Sequence, residues 1–323
     1  MSMRVHCNNE QRYQNPGYLK TAGAIMAGGM ASSLVKSAAV PISNMCLNKM
    51  IATNNEMKNS FKNVFIPAAE KMWEQSGLKD AGVKIIDAGT KEYYETNVKP
   101  MEEIFDKIKL PKSIQKLIIP AKSAHEGKNA FFMPKRNLPD FIKKYMPDIP
   151  STGNEVHVAK DKFALSTFHE LGHAINCNLS KTGKILQKMR LPAMAIAGLI
   201  GAIALFKAPK AEGEKPKGSF DKTTTFIKNN AGKLAFAAML PIVAEEGLAS
   251  LHAAKWAKKL LSSDMAKQVN KTNALGFATY AVAAIVTGLS AWAASAVRDK
   301  LAHKEPIPQY AYRLNKNLTC HQG

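Results

Sequence analysis

Ser166-Thr167-Phe168-His169-Glu170-Leu171-Gly172-His173-Ala174-Ile175 is the stretch from which the rest of the chain is read. At its centre is the pattern HExxH. On a helix, residues four apart leave the same face one turn apart, so His169 and His173 point their imidazoles the same way. That is the separation two ligands of one tetrahedral zinc require. Glu170, beside the first histidine, is placed to take a proton from a water on the metal. Gly172 has no side chain, so a second element can approach the helix closely there. The bland alternative is a polar helix with two surface histidines. The flanks argue against it: Phe163-Ala164-Leu165 lead in, Ala174-Ile175 follow, and such a helix is expected to be largely buried.

Two histidines leave a zinc site unfinished, because a catalytic site takes three protein ligands and keeps one position open. The extended pattern H-E-x-x-H-x-x-G-x-x-H fails here, with Asn176 in place of the glycine and Leu179 in place of the last histidine. A glutamate from a later helix is the other route. Ala244-Glu245-Glu246-Gly247-Leu248-Ala249-Ser250 offers two within an apolar run. Unpaired, two buried acids cost several kcal/mol, and a metal removes that cost for one of them. Glu246 is favoured over Glu245. Ser250 lies four residues on, where its hydroxyl can orient a metal-bound histidine, and Ala249 is small enough to admit the HELGH helix. Glu245 is left as a supporting group or a water-facing one. The proposed set is therefore one zinc per chain held by His169, His173 and Glu246, with Glu170 as general base. His252 and His303 are candidates for a further donor, and neither is assigned.

The chain has 323 residues, 45 Lys and Arg against 25 Asp and Glu, and a formal charge of +20. A nucleic-acid binder would gather that charge into a patch interleaved with aromatics. Here the cations are scattered and many flank apolar runs, which fits a membrane surface and speaks against nucleic acid. Cys7, Cys46, Cys177 and Cys320 form no C-x-x-C pair, so neither a disulfide framework nor a cysteine metal site is indicated. Cys177 reads as a small packed residue.

In chain order, residues 1–50 hold an apolar, small-residue stretch at 21–35, read as a membrane-associated or packed helix. Residues 51–125 read as helical, with Phe61, Val64 and Phe65 at helical spacing and a break at Leu110-Pro111. Two short runs read as strands: 129–134, closed by Pro134, and 154–158. Within the second, His157 reads as a surface histidine. The candidate catalytic core spans 126–260 and includes an apolar hairpin at 191–250. Its first arm, 191–206, is uncharged and ~24 Å long as helix, short of a ~30 Å hydrocarbon core, with Arg190 and Lys207 expected to snorkel at its ends. Residues 207–233 read as a flexible connection. The returning arm carries Glu246 ~20 Å past Lys233, which brings it back to the side of His169 and His173. The run 274–297 has 24 uncharged residues, within the predicted transmembrane helix 273–297, and a basic, loop-like tail follows from Arg298. The expected fold is mainly α: a zincin-like core with a small β edge, plus transmembrane helices.

The motifs STFHELGHAI at 166–175 and EEGLAS at 245–250 resemble the gluzincin group of zinc metallopeptidases, in particular its integral-membrane members. Two sets share the likeness: the HtpX and CAAX prenyl protease family, and the YugP-like neutral zinc metallopeptidases. The first usually shows E-x-x-A-D at the second motif, where this chain has Ser250; the second has E-x-x-A-S. Lys128-Asn129-Ala130-Phe131-Phe132-Met133-Pro134 also looks like the strand ahead of the helix in the first set. The resemblance covers about 128–175 and 234–256. It implies hydrolysis of peptide bonds in a protein or peptide substrate at a lipid bilayer, in a multi-pass protein of a bacterial inner membrane, with the site towards the cytoplasm. A scaffold that keeps the fold without the activity is the alternative. Lys and Arg counts on the two sides of the spans, nine against twelve, do not decide the orientation.

Overall fold

The computed structural model describes residues 16–107, 109, 120–135, 153–210 and 214–302. The described chain is mostly helical, with one three-stranded sheet. Helix α1 (Pro16–Met57) passes through a tight 3-10 and π-helical stretch into α2 (Ile66–Gln75), where Pro67 occupies the first turn and its missing N–H is not needed. Strand β1 (Lys84–Asp87), helices α3 (Lys99–Lys107) and α4 (Pro120–His125), and strands β2 (Phe131–Met133) and β3 (Glu155–Val158) follow. Then come α5 (Thr167–Asn178), which carries the HELGH motif, α6 (Lys181–Phe206), α7 (Gly218–Asn229), α8 (Ala231–Leu260) and α9 (Ser263–Ala302). The break expected at Leu110-Pro111 lies outside the described residues.

The helices and strands divide into two compact units. One takes the chain up to Ala38, Ile196–Ala237 and the chain from Val286; the other takes Ala39–Ala195 and Ala238–Ile285. In the second unit the sheet order is β1-β3-β2, with β1 parallel and β2 antiparallel to β3. Strand β2 is therefore an edge. Strand β1 was not anticipated, although Gly82 before it and Asp87-Ala88-Gly89 after Ile85-Ile86 are ordinary strand punctuation. Along β3, Val156 and Val158 point into apolar clusters on one face, and His157 to the other. His157 is not at the surface: it is 3 % exposed, stacked on its cross-strand partner Phe131 at 4.6 Å and within 3.1 Å of the Tyr93 hydroxyl. The Tyr93 hydroxyl partners Nδ1, the Glu155 carboxylate lies 3.2 Å from Nε2, and burial outweighs that carboxylate and lowers the pKa.

The main core of this unit joins Phe65, Ala68 and Met72 of the α2 region to Phe168, Leu171 and Ala174 of α5, Ala253 and Ala257 of α8, and Val269 of α9. Asn54 of α1, fully buried, accepts the Leu165 N–H at 3.2 Å just ahead of α5. Alanines dominate the α8 side, so backbones approach closely. At Gly172 a Cβ would strike the Ala249 carbonyl, so α5 and α8 touch main chain to main chain.

In the other unit, small residues again set the contacts: a Cβ at Gly28 would meet the Ala294 carbonyl, and one at Gly232 the Trp292 side chain. Residues 207–233 are not a plain connection, since α7 forms there. Asp221 in its first turn pairs with Lys210 at 2.8 Å and with Lys207. Lys207 thus meets a carboxylate, where snorkelling was expected. Helix α9 continues through 298–302, where a loop-like tail was expected to begin. There Arg298, buried, donates to the carbonyls of Phe206 and Lys207 at the end of α6, groups that a helix C-terminus leaves without partners. The tail beyond lies outside the described residues.

Among the described residues, four helical stretches are long and apolar enough to cross a membrane: Thr21–Gln75, Lys181–Phe206, Ala231–Leu260 and Ser263–Ala302. Large apolar side chains such as Leu34, Leu191 and Trp292 stand exposed along them. The close contact at Gly172 yields the first prediction. Alanine is the better helix former by about 1 kcal/mol, yet Gly172→Ala is expected to destabilise by about 1–3 kcal/mol because the backbones must part. Thermal unfolding in detergent checks it against Gly198→Ala, whose added methyl meets nothing within 4 Å and which should be neutral or mildly stabilising.

Candidate metal centre

Helix α5 presents its two histidines as their spacing requires. The rings lie 4.6 Å apart and nearly perpendicular, with the Nε2 atoms 3.1 Å from each other. Helix α8 brings Glu246 to the same point: its Oε2 is 3.2 Å from His169 Nε2 and 3.3 Å from His173 Nε2. The three atoms form a nearly equilateral triangle. A tetrahedral ion with bonds of ~2.0–2.1 Å separates its ligand atoms by ~3.3 Å, so the triangle has the size of one face of such a site.

The outward nitrogens are held separately. Three donors, His173 Nδ1 at 2.8 Å, Asn176 Nδ2 at 2.9 Å and Gln187 Nε2 at 2.8 Å, converge on Glu245 Oε1. Ser250 Oγ lies 3.3 Å from His169 Nδ1. With the Nδ1 protons directed to these oxygens, both Nε2 lone pairs and the Glu246 carboxylate face one another with no donor between them. A single proton bridges only one edge of the triangle, whereas a metal ion meets all three atoms. Burial works against charge on His173, but the Glu246 and Glu245 carboxylates outweigh it and raise its pKa well above the usual value. The position draws positive charge. His169, Glu170 and His173 form one group able to hold a metal ion, and His173, Glu245 and Glu246 another.

Glu245 does not face water. It is fully buried, like Glu246, and acts as the hydrogen-bonding anchor of His173. Arg190 of α6 joins the two acids, donating from Nη1 to Glu245 Oε2 and, at 2.7 Å, to Glu246 Oε1. This overturns the snorkelling expectation for Arg190: two buried carboxylates offer a cation more than an interface does. It also leaves Glu246 one free oxygen, the one aimed at the histidines. Arg190 balances only one of the two carboxylates it joins, so Glu245 and Glu246 keep a net negative charge that favours a cation between the histidines.

Glu170 is 7 % exposed, burial raises its pKa, and its carboxylate has no hydrogen-bond partner among the described residues. It opens on a cleft of about 690 Å³, with Asn129, Phe131 and Phe132 of the edge-strand segment on one wall and Lys184, Lys188 and Met194 of α6 on another. Tyr280 of α9 stands in the same cleft beside Glu246, its ring 5.7 Å from the Arg190 guanidinium. Cys177 lines the cleft as well, half-buried, and is in neither ligand group. His252 lines neither cavity at the site, and His303 lies outside the described residues.

Sequence reasoning missed Arg190, Gln187, Asn176 and Tyr280. Asn176 was within reach, since it follows His173 by three and His169 by seven on the same helical face. Arg190 is the last cation before the uncharged run 191–206. No local pattern marks Gln187 or Tyr280.

No family model, no curated protein and no solved structure matches the chain. Metal affinity separates the two glutamates. Glu245→Gln should weaken binding of zinc, used as the probe metal, by about 10–100-fold, as loss of a ligand's orienting partner does. Glu246→Ala should abolish specific binding. Chelator competition on the purified variants reads both.

Proposed function

We propose that this chain is a membrane zinc endopeptidase. One observation carries the reading: the histidines of an HExxH helix and a glutamate of a second helix converge on a single point, with a second carboxylate, Glu170, lining the same cleft and without a hydrogen-bond partner among the described residues. His169, His173 and Glu246 hold the zinc, one per chain, with Glu245 and Ser250 orienting the histidines and Arg190 orienting Glu246.

Zinc, when bound, supplies Lewis acidity towards a carbonyl and lowers the pKa of water to ~7. The chain's own residues do the rest. Glu170, desolvated and unpaired, accepts the proton of the attacking water and returns it to the leaving amine. The edge of β2 offers main-chain hydrogen bonds to an extended peptide, which fixes the scissile bond along the cleft wall. Packing of α5 on α8 at Gly172 and Ala249 keeps the ligand set rigid. The core is zincin-like, and the four apolar helices cross a bilayer, where their exposed Met, Leu and Trp side chains meet lipid.

Two outcomes test the reading. Purified in detergent, the protein should cleave an unfolded protein substrate, lose activity to a chelator and regain it with zinc. Glu170→Gln should retain its zinc and lose at least about 10²–10⁴-fold in rate. A Glu170→Gln protein that cleaves at the wild-type rate would remove Glu170 from the chemistry. In cells, the chain should stay with the membrane fraction through carbonate extraction; release by carbonate alone would place the apolar helices inside a soluble bundle.

A further inference from the structure

Adjoining the cleft, with which it shares Asn129, Ala130 and Glu170, is a second and much smaller cavity of about 30 Å³, also lined by His169, Ser166, Asn273 and Gly276. Asn273 of α9 is 4 % exposed, and neither its amide nitrogen nor its amide oxygen has a hydrogen-bond partner; Ser166, 3 % exposed, also has a hydroxyl without one. Buried polar atoms are rarely left so, and an amide with both ends unpaired in an apolar helix is costly. The two residues that carry these three atoms line one small space together with Glu170, whose carboxylate has no hydrogen-bond partner among the described residues. One water needs ~10–15 Å³ and takes about three hydrogen bonds, so the cavity has the size and the polarity for one.

We propose that this cavity is a built water site, and that the water held there by Asn273 and Ser166 hydrogen-bonds the Glu170 carboxylate and fixes its orientation. Asn273 then acts as a positioning residue for the base, from a helix that supplies no metal ligand. The amide can accept from the water or donate to it, so the link persists as Glu170 gains and loses its proton. The inference rests on the proposed role of Glu170. The water site itself does not.

A high-resolution structure of the zinc-loaded protein should show one water within hydrogen-bond distance of both Asn273 and Glu170. Asn273→Leu removes the polar partner at similar size. Gly276→Ala fills the space while leaving Asn273 intact, and its added methyl meets only Met50 Cε at 3.7 Å, so it should fold even if Asn273→Leu does not. Both variants should keep one zinc, lose the water, and lower kcat about tenfold to a hundredfold with KM unchanged, as misplacing a reacting group does. Asn273→Asp, which can still bond the water, should recover most of the rate. Full kcat in Gly276→Ala, or a water that does not reach Glu170, overturns the inference and leaves the peptidase reading standing. If the wild type hydrolyses nothing, the peptidase reading fails, and the presence or absence of the bridging water still decides the site.

Discussion

Two adjacent carboxylates on one apolar helix constrain everything built around them. Glu245 and Glu246 are both fully buried, and neither can stay so alone. They are settled by division of labour. Arg190 takes one oxygen from each, which spares Glu246 its second oxygen for the histidines. Asn176, Gln187 and His173 saturate the other oxygen of Glu245. The close contact of α5 and α8 at Gly172 follows from the same need, since the donors on α5 must reach the acids on α8.

This arrangement explains why a short motif sits within so much supporting structure. Asn54 anchors the entry to α5, the sheet backs that helix through Val156, and α9 brings Tyr280 to the cleft and Asn273 to the small cavity adjoining it. The α9 residues Asn273, Gly276 and Tyr280 are three to four positions apart, so one face of a long apolar helix is given over to the site. A run that reads as transmembrane from its composition thus turns Gly276 and Tyr280 to the site.

Much of this was legible in the sequence, and the limits have physical causes. The pairing of the two histidines follows from helical periodicity, and the approach of Glu246 to both of them follows from Ser250 and Ala249 on its own helix together with the length of the returning arm. The two strands at 129–134 and 154–158 were legible from composition. Strand β1 and the burial of His157 were not, because a parallel pairing and a cross-strand stack depend on partners remote in the chain. Arg190 looked like a helix end because charge beside an apolar run usually marks one; a buried counter-charge elsewhere in the chain changed its role. The helix at 218–229 was masked by lysines and glycines that resemble a linker, and Asp221 with its two lysines steadies it.

X-ray absorption at the zinc edge of the purified protein tests the centre most directly, because it reads ligand identity without needing a substrate. Two imidazole nitrogens and light oxygen donors at ~2.0–2.1 Å, with no sulfur, are the expected first shell. The same spectrum from Glu246→Ala should lose that shell, and from Glu245→Gln should keep it. Protein that takes up no zinc, or a sulfur at ~2.3 Å from a cysteine such as Cys177, would contradict a site built from His169, His173 and Glu246.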